Sequence, residues 1–398
     1  MSAKHLPVSL IALIGLFCAC QKNPTENISP ATMMTDEVEG QYIIILKDDE
    51  AARTFDAGPK LSYDGRQMAV RQRMQKVFER HRVASGRVYQ TYSTTFTGFA
   101  LKMDAKEVNE WKNDAAVMAI EPDRKISLPA PPKKTIAATT PPSTQIVPWG
   151  VRMVGGPGNG VGKTVWVVDS GVEFTHPDLD IHYGKSRSFL PFSTSASDWN
   201  GHGTHVAGII AAKNNTIGVV GVAAGAKIVS CRVLDTAGDG LFSYSLAAFD
   251  YIAATAKAGD VVNYSVTPKS VYKSPALDSS VKTLADKGIF VVVAAGNVSD
   301  NTLNYSPARV RLPNVYVVSA IDSNRIFANF SNWGASVTHA EPGVDIYSTY
   351  KKTTLYATMS GTSMAAPHLS GILLLGPVRS KQTALFDWDD QPDPIGIR

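Results

Sequence analysis

After Gly150 the chain repeats one pattern, a continuous apolar run followed by a stretch in which apolar residues recur at helical spacing. The runs are Thr164 to Asp169, Ala226 to Leu234, Asp260 to Ser265, Ile289 to Ala295 and Val315 to Ile321. Runs without polar alternation are what strands buried on both faces show, so the pattern predicts a three-layer α/β domain with a mostly parallel sheet. A last helical stretch starts at Ser363, carries Leu369, Ile372, Leu373 and Leu375, and stops at Gly376-Pro377, as a buried helix does.

The first third of the chain has a different grammar. Tyr42 to Lys47 reads as a strand, and Gln67 to His81 places Met68, Val70, Met74, Val77 and Phe78 near helical spacing. Strand-like Arg87 to Thr94 and Gly98 to Met103, helix-like Ala105 to Asn113 and strand-like Val117 to Glu121 follow. This βαββαβ order predicts a small α+β domain of ferredoxin-like type over residues 41–128. Polar residues 21–40, with Pro24 and Pro30, read as a flexible tether. Leu128 to Pro148 holds Pro129, Pro131, Pro132, Pro141, Pro142 and Pro148. Its core, residues 129–143, is an extended linker before a second domain, 144–398.

Charge narrows the classes. The 398 residues carry 39 Lys and Arg against 35 Asp and Glu. From Thr144 onward the counts are 20 and 19, without the basic stripe that a nucleic-acid partner requires. At the N-terminus, Lys4 and His5 precede an apolar run from Leu6 to Phe17 and then Cys18-Ala19-Cys20. The run is short for a bilayer span and reads as an export signal over residues 1–20. Ala19 before Cys20 resembles a bacterial lipoprotein signal with Cys20 as the lipidated residue, giving a membrane-tethered envelope protein; a plainly secreted form is the alternative. Beyond the signal only Cys231 remains, read as a small buried hydrophobe.

Four stretches carry chemistry. Val165 to Gly171 is an apolar run ending on Asp169, Asn200 to Gly208 opens a small-residue helix at His202, Ile289 to Ala295 ends on Gly296-Asn297, and Gly361 to His368 sets Ser363 at a helix mouth. A lone Ser there is usually an N-cap. Together the four supply an orienting acid, a base, an oxyanion donor and a nucleophile. In these boxes, and in the chain order Asp, His, Ser, the sequence resembles the subtilisin-like serine proteases (peptidase S8). The resemblance implies catalytic roles for Asp169, His202, Asn297 and Ser363. His202 and His205 also stand at metal-pair spacing, but the Glu of the H-E-x-x-H pattern is lacking. His205 and His368 read as structural, and Asp198 and Asn200 as shaping the loop before His202.

Tyr42 to Lys47 and Gly98 to Leu101 resemble the inhibitory propeptide of the same family (inhibitor I9 type). The resemblance implies a domain that assists folding, lies across the active site and is cut away, with a mature start near Thr144. An unrelated α+β binding domain is the alternative. Gly238, Asp239 and Gly240, and Ser265, Val266 and Thr267, resemble the two edges that pair with an extended peptide, and Ala295 and Gly296 border the same groove. Thr267-Pro268 departs from the family, so specificity is not carried over. The Gly-Asp-Gly is equally good turn chemistry.

Lys213 to Val219 resembles the calcium loop of bacterial subtilisins. The implied ligands are side chains of Gln145, Asp178 and Asn215 and carbonyls of Lys213, Ile217 and Val219, oxygen donors that suit structural calcium; a metal-free Asn-rich turn is the alternative. Glu341 is an unusual charge in its place, and the acidic run near Asp387 to Asp393 reads as a solvated turn rather than a second cation site. The reading is an exported serine endopeptidase, autoprocessed from a zymogen, acting on extended polypeptides, inhibited by its own propeptide, monomeric and without a nucleic-acid partner. A catalytically silent binding protein of the same fold is the alternative, and a metal-dependent hydrolase lacks a convincing ligand set.

Overall fold

The computed structural model describes residues 36–47, 61–128, 142, 144–268, 270–351, 355–389 and 391–398. The expected export segment with Cys20, most of the tether and nearly all of the 129–143 linker lie outside the described residues.

The N-terminal domain runs β1 (Glu37–Leu46), α1 (Tyr63–Arg80), β2 (Val88–Tyr92), β3 (Gly98–Lys102), α2 (Ala105–Lys112) and β4 (Val117–Ser127). β1 begins four residues before Gln41, where Glu37 pairs with Arg124 across the sheet and binds its guanidinium at 2.5 Å. Alternation along β1 serves two interfaces. Ile44 and Leu46 face the domain's own core with Met74, Phe99 and Trp111, while Ile43 and Ile45 join the core of the second domain.

The second domain is built on a nine-stranded sheet. Its strands are β5 (Thr164–Asp169), β6 (Lys227–Arg232), β8 (Val261–Tyr264), β9 (Phe290–Ala294), β10 (Val315–Ile321), β11 (His339–Pro342), β12 (Arg379–Thr383), β13 (Pro394–Ile397) and the two-residue Arg187–Ser188. The short β7 (Asp239–Leu241) instead pairs with β4. The order is β12-β13-β11-β10-β9-β8-β5-β6-Arg187–Ser188, parallel except for the β12/β13 hairpin. Val165 and Val167 enter one core and Trp166 and Val168 the other, which is why the run is apolar at every position. Helices α3 (His202–Ala211) and α6 (Thr362–Leu375) belong to one layer, and α4 (Phe242–Thr255) and α5 (Pro275–Asp286) to the other.

The N-terminal sheet sits on α4 and α5 through buried carboxylates. Asp123 accepts from the Ser243 amide at 3.1 Å and Glu121 from the Ala276 amide at 2.9 Å, each at a helix start where the dipole favours negative charge. In the reverse direction Asp250 of α4 accepts from the amides of Ser93, Thr94 and Thr95. These contacts join residues more than a hundred positions apart, and no local pattern announces them.

The C-terminus departs from the expected solvated turn at Asp393, while Asp387 and Asp389 stay partly exposed. β13 extends the sheet beside β11, and Asp393 is buried, accepting from Ser319 Oγ at 2.6 Å. Burial and repulsion from Asp387 and Asp389 push its carboxyl up to about 8. Glu341 of β11 is fully buried and neither carboxyl oxygen has a hydrogen-bond partner among the described residues. A Cβ on Gly396 of β13 would stand 2.2 Å from Glu341 Oε1, so a glycine is what admits this side chain. Burial raises the Glu341 pKa well above its ordinary 4.5, and the nearby Gly396 amide offsets only part of that. A raised folded-state pKa contributes stability below the unfolded pKa that is lost as pH climbs toward the folded one. Above its unfolded pKa, Glu341 is therefore expected to remove stability progressively as pH rises. Urea unfolding of the full chain in a Ser363→Ala background between pH 5 and 8 should show a loss of stability with pH that is shallower in Glu341→Gln; an identical pH dependence in both chains would refute the assignment.

Candidate active site

β5 and β8 are parallel neighbours in the register Val168 opposite Tyr264, so the next residues, Asp169 and Ser265, leave the sheet side by side at its carboxyl edge. That edge is where open α/β sheets place their ligands. Asp169 is wholly buried and meets His202 Nδ1 with both oxygens, at 2.8 and 3.0 Å. The pair depends on close approach of α3. A Cβ on Gly203 would lie 2.1 Å from the Gly171 carbonyl and 3.1 Å from Asp169 Oδ1, so any larger residue would push the helix off the acid.

His202 is the first residue of α3, whose cap position is Gly201 and has no side chain to offer. Neighbouring side chains take the free amides instead. His202 N donates to Asn200 Oδ1 at 3.2 Å, Gly203 N to Ser170 Oγ at 3.0 Å and Thr204 N to Asp198 Oδ2 at 3.0 Å. Ser170 Oγ in turn donates to Asp198 Oδ1 at 3.0 Å. The residue after the acid is thus tied to the helix that carries the base. Burial raises the Asp198 pKa against the donors that favour its charge. Asp198 and Asn200 shape the loop, as expected from position. Ser170 was not singled out in the sequence, although its place next to Asp169 was the available signal.

Ser363 is the second residue of α6 and is 4 % exposed. Its hydroxyl donates to the Ser265 carbonyl at 2.9 Å, and no hydrogen bond joins it to His202 among the described residues. The reverse contact, Ser265 Oγ to the Ser363 carbonyl at 3.2 Å, has a cause in sequence. Pro367, four residues on, lacks the N–H that would otherwise bond that carbonyl. Asn297 follows β9 beyond Ala295 and Gly296, and its Oδ1 accepts from Thr362 N at 2.8 Å and Thr362 Oγ1 at 3.0 Å. This turns Nδ2 the other way. A Cβ on Gly361 would stand 3.6 Å from Asn297 Nδ2 and 3.7 Å from Ser363 N, so the two donors border one space.

The remaining positions fall into three groups. His205 Nε2 meets the carbonyls of Ile346 and Ala357 at 3.0 Å each, and burial takes its pKa down to about 3; it is a neutral ring inside the core, turned to different partners from His202. His368 Nδ1 bonds the Met364 carbonyl at 2.9 Å, and burial lowers its pKa to about 4. Gly238, Asp239 and Gly240 lie on and beside β7, and the N-terminal domain's own β4 pairs with them. Val266 turns its side chain into the core and Thr267 is half-buried, leaving the Ser265 to Thr267 backbone as the other edge.

The residues of the expected calcium loop lie together, with four oxygens around the Gln145 side-chain nitrogen. Gln145 Nε2 lies 2.8 Å from Lys213 O, 3.1 Å from Asn215 Oδ1, 3.3 Å from Val219 O and 3.5 Å from Ile217 O. The buried Asp178 carboxylate borders the group through Asn215 Nδ2 at 2.7 Å and Val219 N at 3.1 Å. One carboxylate with amide and carbonyl oxygens is the donor chemistry of a hard cation, and an electropositive amide nitrogen already stands among four of the oxygens.

A carboxylate–imidazole pair and a serine hydroxyl at the carboxyl edge of a parallel sheet, with the Asn297 side chain beside the start of the serine helix, are the elements of a serine hydrolase. Comparison makes the class specific. The Subtilase family model matches residues 160–382 and the Peptidase inhibitor I9 model residues 41–129. An alkaline protease of Alkalihalobacillus alcalophilus is 37% identical over 287 residues, 71% of this chain and 69% of that protein. Subtilisin Savinase of Lederbergia lenta is 41% identical over 237 residues, 58% of this chain and 84% of its own length. A cuticle-degrading serine protease of Arthrobotrys oligospora is 30% identical over 385 residues, covering 92% of this chain and 87% of that one. The crystal structure of a cold-adapted subtilisin-like serine proteinase superposes with a TM-score of 0.53 at 31% identity, covering 64% of this chain and 98% of the other. The chain belongs to the subtilase family. It is a serine endopeptidase made as a zymogen with an I9 propeptide as intramolecular inhibitor, and nothing in the comparisons supports the silent binding protein.

Proposed function

We propose that Ser363 is the nucleophile of this endopeptidase, His202 its general base and acid, Asp169 the group that orients the imidazole, and Asn297 with the Ser363 amide the oxyanion site. The observation that carries this reading is the placement of the Asp169–His202 pair and of the Ser363–Ser265 contact at the ends of two neighbouring strands. In the reaction Ser363 Oγ bonds the peptide carbonyl carbon while its proton passes to His202 Nε2. Asp169 holds Nδ1–H and stabilises the imidazolium. The carbonyl oxygen takes the negative charge between Asn297 Nδ2 and Ser363 N. Collapse breaks the C–N bond, the amine leaves with the proton from His202, and water repeats the sequence on the acyl-enzyme.

Extended substrates are read as lying between β7 and the Ser265 to Thr267 edge, supported by the way β4 lies along β7. Main-chain pairing of this kind binds many sequences and leaves selectivity to pockets. Ala295 and Gly296 border the groove beside Asn297.

A structural calcium held by Gln145, Asp178, Asn215 and the carbonyls of Lys213, Ile217 and Val219 is part of the proposal, supported by the gathering of the Asn215, Lys213, Ile217 and Val219 oxygens around the Gln145 amide. Bound, it would cross-link the start of the mature domain to the loop after α3. Gln145 lies just beyond the linker, so the site couples to propeptide removal. Export is read from the apolar run before Cys20, with Cys20 as a lipidated membrane tether. No helix among the described residues is long and apolar enough to cross a membrane. A monomer is proposed because the site is complete within one chain.

Intact-mass analysis after incubation with a serine-directed fluorophosphonate tests the chemistry. Wild type should lose the propeptide and gain the label, and Ser363→Ala should remain full length and unlabelled; labelling of the variant would dismiss Ser363. Asn297→Ala should lower kcat by about 10²–10³ with little change in KM, a magnitude taken over from a subtilisin, a member of the same family. Calcium at a hundred times its Kd should stabilise by about 2.7 kcal/mol, read as a rise in Tm. The Asn215→Ala chain should lack that rise, and an equal rise in both chains would remove the site. For Cys20, membrane association of wild type should vanish in Cys20→Ser; retention of it would reject the tether.

A further inference from the structure

The zymogen records how a peptide lies on β7. β4 runs antiparallel to it, with Lys125 opposite Leu241, Ile126 opposite Gly240 and Ser127 opposite Asp239, and the Leu128 amide donates to the Gly238 carbonyl at 2.9 Å. Ile126 is fully buried in the second domain's core. Strand alternation turns the next residue, Ser127, the other way, where its hydroxyl donates to Asp239 Oδ1.

Asp239 is exposed and in no ion pair among the described residues. Its neighbour Asp235 spends Oδ1 on the amides of Ala237 and Asp239, and Arg232 spends its guanidinium on the carbonyls of Leu234 and Ser195 and on Ser193 Oγ. The rim of this groove is therefore a carboxylate whose partner in the zymogen is a neutral hydroxyl.

We propose that Asp239 is a specificity-determining residue, favouring a cationic or hydroxyl side chain and rejecting a carboxylate at the substrate position that Ser127 occupies in the zymogen. The inference deepens the reading that substrates lie along β7, and rests on it. An opposite charge at this rim gains a Coulomb attraction and a like charge meets a repulsion of similar size. In an exposed site each is worth a few-fold at most, and both fade with salt. Ser127 offers a hydrogen bond and no charge, so a substrate with lysine there holds an attraction that the propeptide lacks.

The test uses mature wild-type enzyme and Asp239→Asn with three internally quenched peptides. Each carries the Lys125 to Leu128 sequence followed by one common segment without proline, with Lys, Ser or Glu at the Ser127 position. Mass spectrometry locates the cut. Wild type should prefer Lys over Glu by roughly tenfold in kcat/KM at low ionic strength. The ratio should fall to within about twofold in Asp239→Asn, and likewise in wild type at about 1 M salt. An unchanged ratio in Asp239→Asn, or cuts at different bonds in the Lys and Glu peptides, overturns the assignment of Asp239 alone. An enzyme that takes the fluorophosphonate label yet cleaves none of the three overturns the β7 reading, and with it this inference.

Discussion

The constraint on which the rest of this site depends is the close approach of α3 to the end of β5. His202 meets both oxygens of Asp169 only because the helix start can come against the strand, and Gly203 is the residue whose missing side chain allows it. A helix start brought into a buried place carries amides that must be satisfied. Asn200, Ser170 and Asp198 satisfy them one each, and Ser170 is the residue next to the acid. The polar network that settles the backbone therefore also sets the distance between acid and base. Removing one member would leave a buried amide unpaired, at the cost of its desolvation.

The serine side of the site rests on a second local exception. Pro367 withdraws the N–H that would have closed the first turn of α6 onto Ser363, and Ser265 occupies the vacated acceptor while its own carbonyl holds the serine hydroxyl. Ser363 is thus bound to a strand end rather than to its own helix. Its position is inherited from the β5–β8 register, the same register that places Asp169. Parallel pairing converts a shared place in sequence, the last residue of the run, into adjacency in space.

The propeptide uses the same physics at its interface. Its carboxylates Glu121 and Asp123 reach the starts of α5 and α4, while Asp250 of the mature domain gathers three of its backbone amides. Each exchange replaces water at a free helix amide or a turn amide with a buried charge-assisted bond. The interface is therefore specific in geometry, and its β4 strand reaches the groove edge already aligned.

Sequence alone determined the layers of this protein, because a strand buried on both faces must be apolar at every position and a helix end must stop at Gly376-Pro377. It also determined which residue types stand at strand ends and helix starts, since Asp169, His202, Asn297 and Ser363 each interrupt an apolar pattern at a boundary. The tertiary structure decided what no pattern carries. That Glu341 is buried depends on a glycine more than fifty residues later in β13. That Asp393 lies under the sheet depends on a C-terminal hairpin joined to β11 through the single pair Ala340 and Ile395. Periodicity reports which face of an element is apolar; which distant element covers that face, and which polar atoms it leaves unpaired, is settled only when the chain closes on itself.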